Sequence, residues 1–224
     1  MLRFSHNDAL GLTMKTLVQC DFDGTVTEND VSYFLLDAFA QGDWRGLLRE
    51  YEEHRISVGE FNTGAFAMVK ADRQTLLEAI KGRVKIRGGF QELVSYCSTK
   101  GYRFVIVSNG LAFYIKAILK EVGLETIETC AAQASFNPEG MKVRYVGPDG
   151  KQLGDGFKEV YIELFLQQGY RVIYAGNGES DILPAKYAYR VFATSDLLAY
   201  CEKNNLECKP FAELTDIVKG LELL

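Results

Sequence analysis

From Met14 onward the chain alternates short, unbroken apolar runs with longer stretches whose apolar residues recur every three or four positions. Thr16-Leu17-Val18-Gln19-Cys20, ending at Asp21, reads as a buried strand, and Phe104–Val107, Arg171–Ala175 and Arg190–Ala193 have the same form. Between them lie helical spacings: Phe90, Leu93, Val94 and Cys97; then Tyr114, Ala117 and Ile118; then Val160, Leu164 and Phe165. Strands alternating with helices of this length predict βαβ units. The fold class is therefore α/β: a Rossmann-like, doubly wound parallel sheet with helices on both faces. A weaker strand signal over Ala131–Phe136 precedes the turn Asn137-Pro138-Glu139-Gly140. Alternating Met141, Val143 and Tyr145 follow, and together these predict a small β-hairpin appended to the sheet.

Residues 28–86 break the alternation. Val31, Phe34, Leu35, Ala38 and Phe39 follow helical spacing, and Asp43 is placed to cap a second helix through Tyr51. Ser57 and Glu60 have capping-box spacing ahead of Phe61, Ala65, Met68 and Val69, and Asp72 caps a fourth helix with Leu76, Leu77 and Ile80. This predicts a four-helix cap over 28–86 inserted into a core domain of 14–27 and 87–224. Because the first strand releases the chain at its carboxyl end, the cap is a candidate lid over that end of the sheet. Residues 1–13 read as a loose N-terminal lead, with Met14-Lys15 opening directly onto the first strand.

Composition narrows the chemistry. The 30 acidic and 25 basic side chains give a net charge of −5, which argues against coating nucleic acid or an anionic membrane. No stretch reaches the roughly 18 apolar residues of a membrane span. Five cysteines without a CxxC pair suggest reduced thiols and a cytoplasmic protein. Cys20 reads as core, and Cys201 and Cys208 flank a polar loop with no histidine to complete a zinc site. Only His6 and His54 are present, so catalysis would run mostly on carboxylates, hydroxyls and lysine.

Four polar clusters follow the predicted strands. Asp21-Phe22-Asp23-Gly24-Thr25 sets two carboxylates at the end of the first strand, where open α/β sheets bind ligands, although an acidic turn would look the same. Ser108-Asn109-Gly110 ends a later strand and reads as a helix N-terminus, either an anion cradle or a plain N-cap. Lys158 sits in the first turn of a helix, where the dipole disfavours a cation unless an anion is near; Lys151 is its rival. Gly176-Asn177-Gly178-Glu179-Ser180-Asp181 follows another strand and lacks the third glycine of a dinucleotide fingerprint.

In this order, over residues 15 to about 220, the set resembles the four motifs of the haloacid-dehalogenase-like (HAD) superfamily. The insert resembles the cap of the subgroup containing phosphoserine phosphatase, while Cys20–Asp30 and Pro184-Ala185-Lys186 are closer to the phosphatase of methionine salvage. A response-regulator receiver also gathers carboxylates at a parallel sheet, but it would be roughly half this length and have no cap.

The resemblance implies a Mg²⁺-dependent phosphomonoesterase acting on a small phosphorylated metabolite. Asp21 would be the nucleophile, Asp23 the general acid and base, and Lys158 the neutralising cation. Ser108, Asn109, Gly24 and Thr25 would bind phosphate, and Asp21, Asp23, Asn177 and Asp181 would hold the metal. Asn177 stands where the family usually has Asp, so Asp181 is expected to compensate for the lost charge. The resemblance also sets candidates for substrate contact. Asp30 occupies the position of the glutamate that reads the amino-acid end in phosphoserine phosphatases, and it has capping-box spacing from Thr27. Phe66 replaces the cap arginine. With Phe34, Phe61 and Met68 it suggests an apolar lid over a methylthio-type tail, or the cap's own core. Against full equivalence with the methionine-salvage enzymes, Val146–Gly156 lacks their cysteines. Phosphoserine hydrolysis and a non-catalytic regulator are the competing functions. The sequence fixes no oligomeric state.

Overall fold

The computed structural model describes residues 15–224, so the predicted lead lies outside the described residues. In chain order the elements are β1 (Lys15–Cys20), α1 (Val31–Phe39), α2 (Trp44–Glu52), α3 (Val58–Ala67), α4 (Arg73–Ile80) and α5 (Phe90–Thr99). Then come β2 (Arg103–Leu111), α6 (Ala112–Glu121), β3 (Glu128–Ser135), β4 (Lys142–Val146), β5 (Gln152–Leu153), α7 (Phe157–Gln167) and β6 (Tyr170–Gly176). A 3-10 turn at Glu179–Asp181 leads into α8 (Ile182–Ala185), β7 (Arg190–Ala193), α9 (Ser195–Lys203), β8 (Lys209–Pro210) and α10 (Leu214–Leu221).

The strands form one sheet in the order β5-β4-β3-β2-β1-β6-β7-β8. From β3 to β8 all pairings are parallel; the predicted hairpin is β3 with β4, paired antiparallel, and β5 adds a further antiparallel strand that the sequence pattern did not show. β1 is central and covered on both faces, so Leu17, Val18 and Cys20 are fully buried, as a continuous apolar strand requires. The chain order reverses across β1, which makes its carboxyl end the topological switch point. Register completes the placement. Cys20 pairs with Ile106 of β2 and Ala175 of β6, so Asp21, Ser108 and Asn177 emerge side by side within two residues of those pairs.

Most caps follow their local signals: Asp43, Ser57 with Glu60, and Asp72 cap α2, α3 and α4. Asp30 caps α1 in its own right, accepting from Tyr33 N at 2.9 Å. Thr27 is not its box partner, since its hydroxyl instead donates to the Asn29 carbonyl at 2.7 Å. The insert is tied to the hairpin, where Met141 N donates to the Phe66 and Val69 carbonyls at 3.2 and 3.0 Å.

Two expectations are corrected. Ser108-Asn109-Gly110 does not begin a helix: β2 continues to Leu111, its pairing with β3 shifts register between Ser108 and Leu111, and α6 starts only at Ala112. A bulge and a helix start favour the same small polar residues, so composition could not separate them. The five thiols are not all reduced either. Cys201, in α9, and Cys208, just before β8, are joined by a disulfide, while Cys20, Cys97 and Cys130 are free. Among the described residues no helix is long and apolar enough to cross a membrane.

Candidate active site

A cavity of about 420 Å³ opens between the carboxyl ends of β1, β2 and β6 and the helices α1 to α3. Asp21, Asp23, Ser108, Asn109, Lys158 and Asn177 line its floor. Lys158 is 1% exposed, and its Nζ lies 2.9 Å from Asp21 Oδ1 and 2.6 Å from Asp181 Oδ1. Burial alone would push this ammonium down, but the Asp181 and Asp21 carboxylates together hold it above its usual value. Its rival Lys151 is on the surface, paired with Asp149 at 3.0 Å.

The two motif carboxylates are prepared differently. Burial raises Asp21 to about 6, opposed by the Lys158 charge and reinforced by Asp181. Burial also raises Asp23 well above the carboxylate range, helped by repulsion from Asp30. Asp23 Oδ2 accepts from Tyr114 Oη at 2.5 Å, and Oδ1 accepts from the N–H of Val31, the first residue of α1, at 3.0 Å. Tyr114 Oη is also 2.8 Å from Ser32 Oγ. Gly110 leaves the space in which Tyr114 and Asp23 meet, since a Cβ there would strike both.

Asp181 has a different place from the one expected. Its Oδ1 accepts from Lys158 Nζ and Tyr174 Oη, both at 2.6 Å, and its Oδ2 accepts from the Asn177 and Gly178 N–H groups, both at 2.9 Å. Four donors saturate the carboxylate, which is fully buried and does not line the cavity. It shapes the 176–181 turn and leaves the metal face to Asn177. Thr25 is likewise turned away: it is fully buried, and its hydroxyl meets the Asn177 side chain at 2.8 Å. Gly24 does line the cavity, at φ 75°, with the Asn177 amide where a Cβ would be.

The residues present fit Mg²⁺. One end of the Asn177 amide lies 3.0 Å from the Asp23 carbonyl oxygen and 3.1 Å from Asp21 Oδ2. Neighbouring oxygens of an octahedral Mg²⁺ with bonds of about 2.1 Å are about 3 Å apart. Among the described residues no group of three or more His, Cys, Asp or Glu side chains could hold a metal, because two of these three donors are a backbone carbonyl and an amide.

On the cavity wall, Asp30 is present as expected, but Phe34 and Phe66 are not. Phe34 is on the outer face of α1, and Phe66 is fully buried in the apolar core and does not reach the cavity. Helical spacing gives the phase of an apolar stripe but not what it packs against. Of the expected apolar lid only Phe61 lines the cavity, where it forms an aromatic wall with Tyr33 and Tyr51 and stacks on Tyr51 at 5.8 Å between centroids.

A family model described as haloacid dehalogenase-like hydrolase matches residues 18–186, three quarters of the chain. The chain belongs to this family. Relatives of this hydrolase include the 2-hydroxy-3-keto-5-methylthiopentenyl-1-phosphate phosphatase of Geobacillus kaustophilus (strain HTA426), 28% identical over 94% of this chain and 97% of the relative. The protein of the same name in Geobacillus thermodenitrificans (strain NG80-2) is 31% identical over 92% and 94%. Among solved structures, "Phospho-Aspartyl Intermediate Analogue of Phosphoserine phosphatase" superposes with TM-score 0.67 at 20% identity, covering 92% of this chain and 99% of that one. "Substrate bound phosphoserine phosphatase complex structure" does so with TM-score 0.67 at 19%, over 93% and 99%. At these identities the structures establish a shared fold.

Several residues of this haloacid dehalogenase-like hydrolase carried no sequence signal for the site. Arg87 clamps the first motif by donating to the Gly24, Thr25 and Ala212 carbonyls at 2.7, 2.8 and 2.9 Å. Tyr145 from the hairpin and Asn62 from the insert meet at 2.7 Å, and Tyr145 donates to the Asn109 carbonyl at 2.8 Å. Tyr114 had been legible only as an apolar helix position.

Asp30 yields a stability prediction. Burial raises it to about 6, against the lowering effect of the Tyr33 and Ser32 N–H groups. A raised carboxyl contributes stability that is fully present below its unfolded pKa and is lost as the pH rises through about 6. Asp30→Asn keeps a good N-cap and removes the charge, so it should stabilise by about 1 kcal/mol at pH 8, a value discounted for the open cavity. Thermal unfolding at pH 8 and pH 5 checks this, because the gain must vanish at the lower pH.

Proposed function

We propose that this hydrolase cleaves the phosphate monoester of a small metabolite in two displacements at Asp21. The observation that carries the reading is the buried pairing of Asp21 with Lys158 beside a second carboxyl, Asp23, whose raised pKa keeps a proton available. A carboxylate oxygen of Asp21 attacks phosphorus and forms an aspartyl-phosphate. Asp23 gives its proton to the leaving alkoxide and then takes one from the water that hydrolyses the acyl phosphate. The Ser108 hydroxyl and the Asn109 N–H hold phosphoryl oxygens, and Lys158 balances the charge that collects on them. Mg²⁺, held by Asp21, the Asp23 carbonyl and Asn177, would supply the remaining positive charge.

The wall favours a neutral tail. Glu28, Glu52, Glu179 and Asp196 border the cavity, and Lys158, the one lysine or arginine lining it among the described residues, is engaged by two carboxylates. A substrate carboxylate would be left without a partner, which disfavours phosphoserine. Tyr33, Tyr51 and Phe61 suit an apolar end, in keeping with a methylthiopentenyl-type enol phosphate, the substrate named for the curated relatives. A cytoplasmic setting goes with a small, soluble metabolite of this kind.

Purified protein should hydrolyse para-nitrophenyl phosphate with Mg²⁺ and favour the methylthio-enol phosphate over phosphoserine by about tenfold or more in kcat/KM. Preference for phosphoserine would move the assignment to that reaction. No turnover with any divalent metal would leave a ligand-binding relative instead.

A further inference from the structure

The Asn177 side chain ends among three oxygens. One terminus of its amide is 2.8 Å from Thr25 Oγ1, 3.0 Å from the Asp23 carbonyl oxygen and 3.1 Å from Asp21 Oδ2. The last two can only accept hydrogen bonds. With nitrogen at that terminus the amide donates toward all three. With oxygen there, it repels two of them unless a cation lies between. Two orientations of one side chain are therefore chemically sensible, nitrogen inward without a cation and oxygen inward with one, differing by a half-turn about its last bond.

Without a cation the surroundings favour nitrogen at that terminus. The Thr25 hydroxyl can accept from the nitrogen or donate to the oxygen at the same 2.8 Å separation. The other end of the amide lies against Gly24, which has no side chain to prefer one terminus over the other. The backbone of Asn177 is held: its N–H donates to Asp181 Oδ2 at 2.9 Å, and its carbonyl accepts from Leu197 N at 2.9 Å. Only the terminal amide has to turn.

We propose that Asn177 is an internal substitute for the cation: its NH₂ ties Asp21 and the Asp23 carbonyl together when the metal site is empty, and a half-turn presents its oxygen as a ligand when Mg²⁺ arrives. This rests on the reading of these groups as a cation site, though not on phosphatase turnover. A carboxylate at position 177 could play only the second part. It would bind metal more tightly and would leave an uncompensated cluster of acceptors without it. The amide thus exchanges metal affinity for a metal-free state that holds together.

Thermal unfolding of the wild type, Asn177→Asp and Asn177→Ala, in EDTA and across a Mg²⁺ titration, tests this. In EDTA the order of midpoints should be wild type, then Asn177→Ala, then Asn177→Asp, the last about 3 °C or more below the wild type. Mg²⁺ should raise the Asn177→Asp midpoint further than that of the wild type, with an apparent affinity about tenfold or more higher. Asn177→Ala should gain no more than the wild type. An Asn177→Asp midpoint in EDTA at or above the wild-type value overturns the proposal, as do equal Mg²⁺ shifts in the two proteins. Mg²⁺ that moves none of the three overturns the cation reading as well. The expected pattern in a protein that hydrolyses no phosphomonoester leaves this inference standing and removes the proposed function.

Discussion

Asp21→Asn should abolish turnover, lowering kcat by about 10⁴-fold or more with the fold intact. An amide is too weak a nucleophile to accept a phosphoryl group, and no neighbouring group can take over. Asp23 has one oxygen on Tyr114 and the other on Val31 N, and Asp181 is enclosed by four donors. Stability should hardly change at pH 7.5, because two effects oppose each other. Asp21 is raised to about 6, so as a carboxylate it costs stability once the pH has risen through that value, and the amide removes the cost. Against this, Lys158 loses one of its two partners. Steady-state hydrolysis of para-nitrophenyl phosphate, with far-UV circular dichroism on the same samples, separates chemistry from folding. A folded variant that keeps a tenth of wild-type kcat would remove Asp21 from the nucleophile's role.

The contrast between Asp21 and Asp181 marks how far the sequence could be read. Asp21 ends an apolar run that could only be a buried strand, and the level carboxyl ends of β1, β2 and β6 follow from parallel register. Caps such as Ser57 and Asp72 depend on residues three positions away, so they too were legible. Asp181 is different. Both it and Asn177 sit in one polar turn, and which of them faces the cavity depends on Tyr174 and Lys158, which reach it from a strand and from another helix. Phe34 and Phe66 fail for a similar reason, since the helix stripe is local but its partner surface is not. The Cys201–Cys208 bridge joins the end of α9 to the start of β8, an approach set by chain reversal and not by spacing. Arg87 acts only on backbone carbonyls far away in sequence and leaves no pattern.

Lys158→Met should be the most damaging single change to the fold and should also reduce kcat by about 10³-fold or more. The side chain is buried, and it lies between the carboxylates of Asp21 and Asp181, whose side chains are only 7% and 0% exposed. Its raised pKa gives stability that is fully present below its unfolded value and is lost only as the pH rises through the higher folded value, so at pH 7.5 it is wholly in force. Removing one partner of a buried ion pair costs about 3–5 kcal/mol, roughly a 10 °C fall in unfolding temperature for a chain of this size. The sign with pH is the second check. Without the ammonium, the neighbouring Asp181 charge repels that of Asp21 unopposed, and Asp21 becomes easier to protonate. The deficit should therefore shrink as the pH falls below about 6. Adding Asp181→Asn should restore much of the stability at pH 7.5, because the amide keeps an oxygen for the Asn177 and Gly178 N–H groups while dropping the charge. It should restore none of the turnover, since the developing charge on the phosphoryl oxygens still lacks its cation. Unfolding curves at pH 5 and 7.5 with kcat on both variants decide the matter. A single Lys158→Met variant as stable as the wild type at pH 7.5 would show that the two carboxylates do not depend on this ammonium.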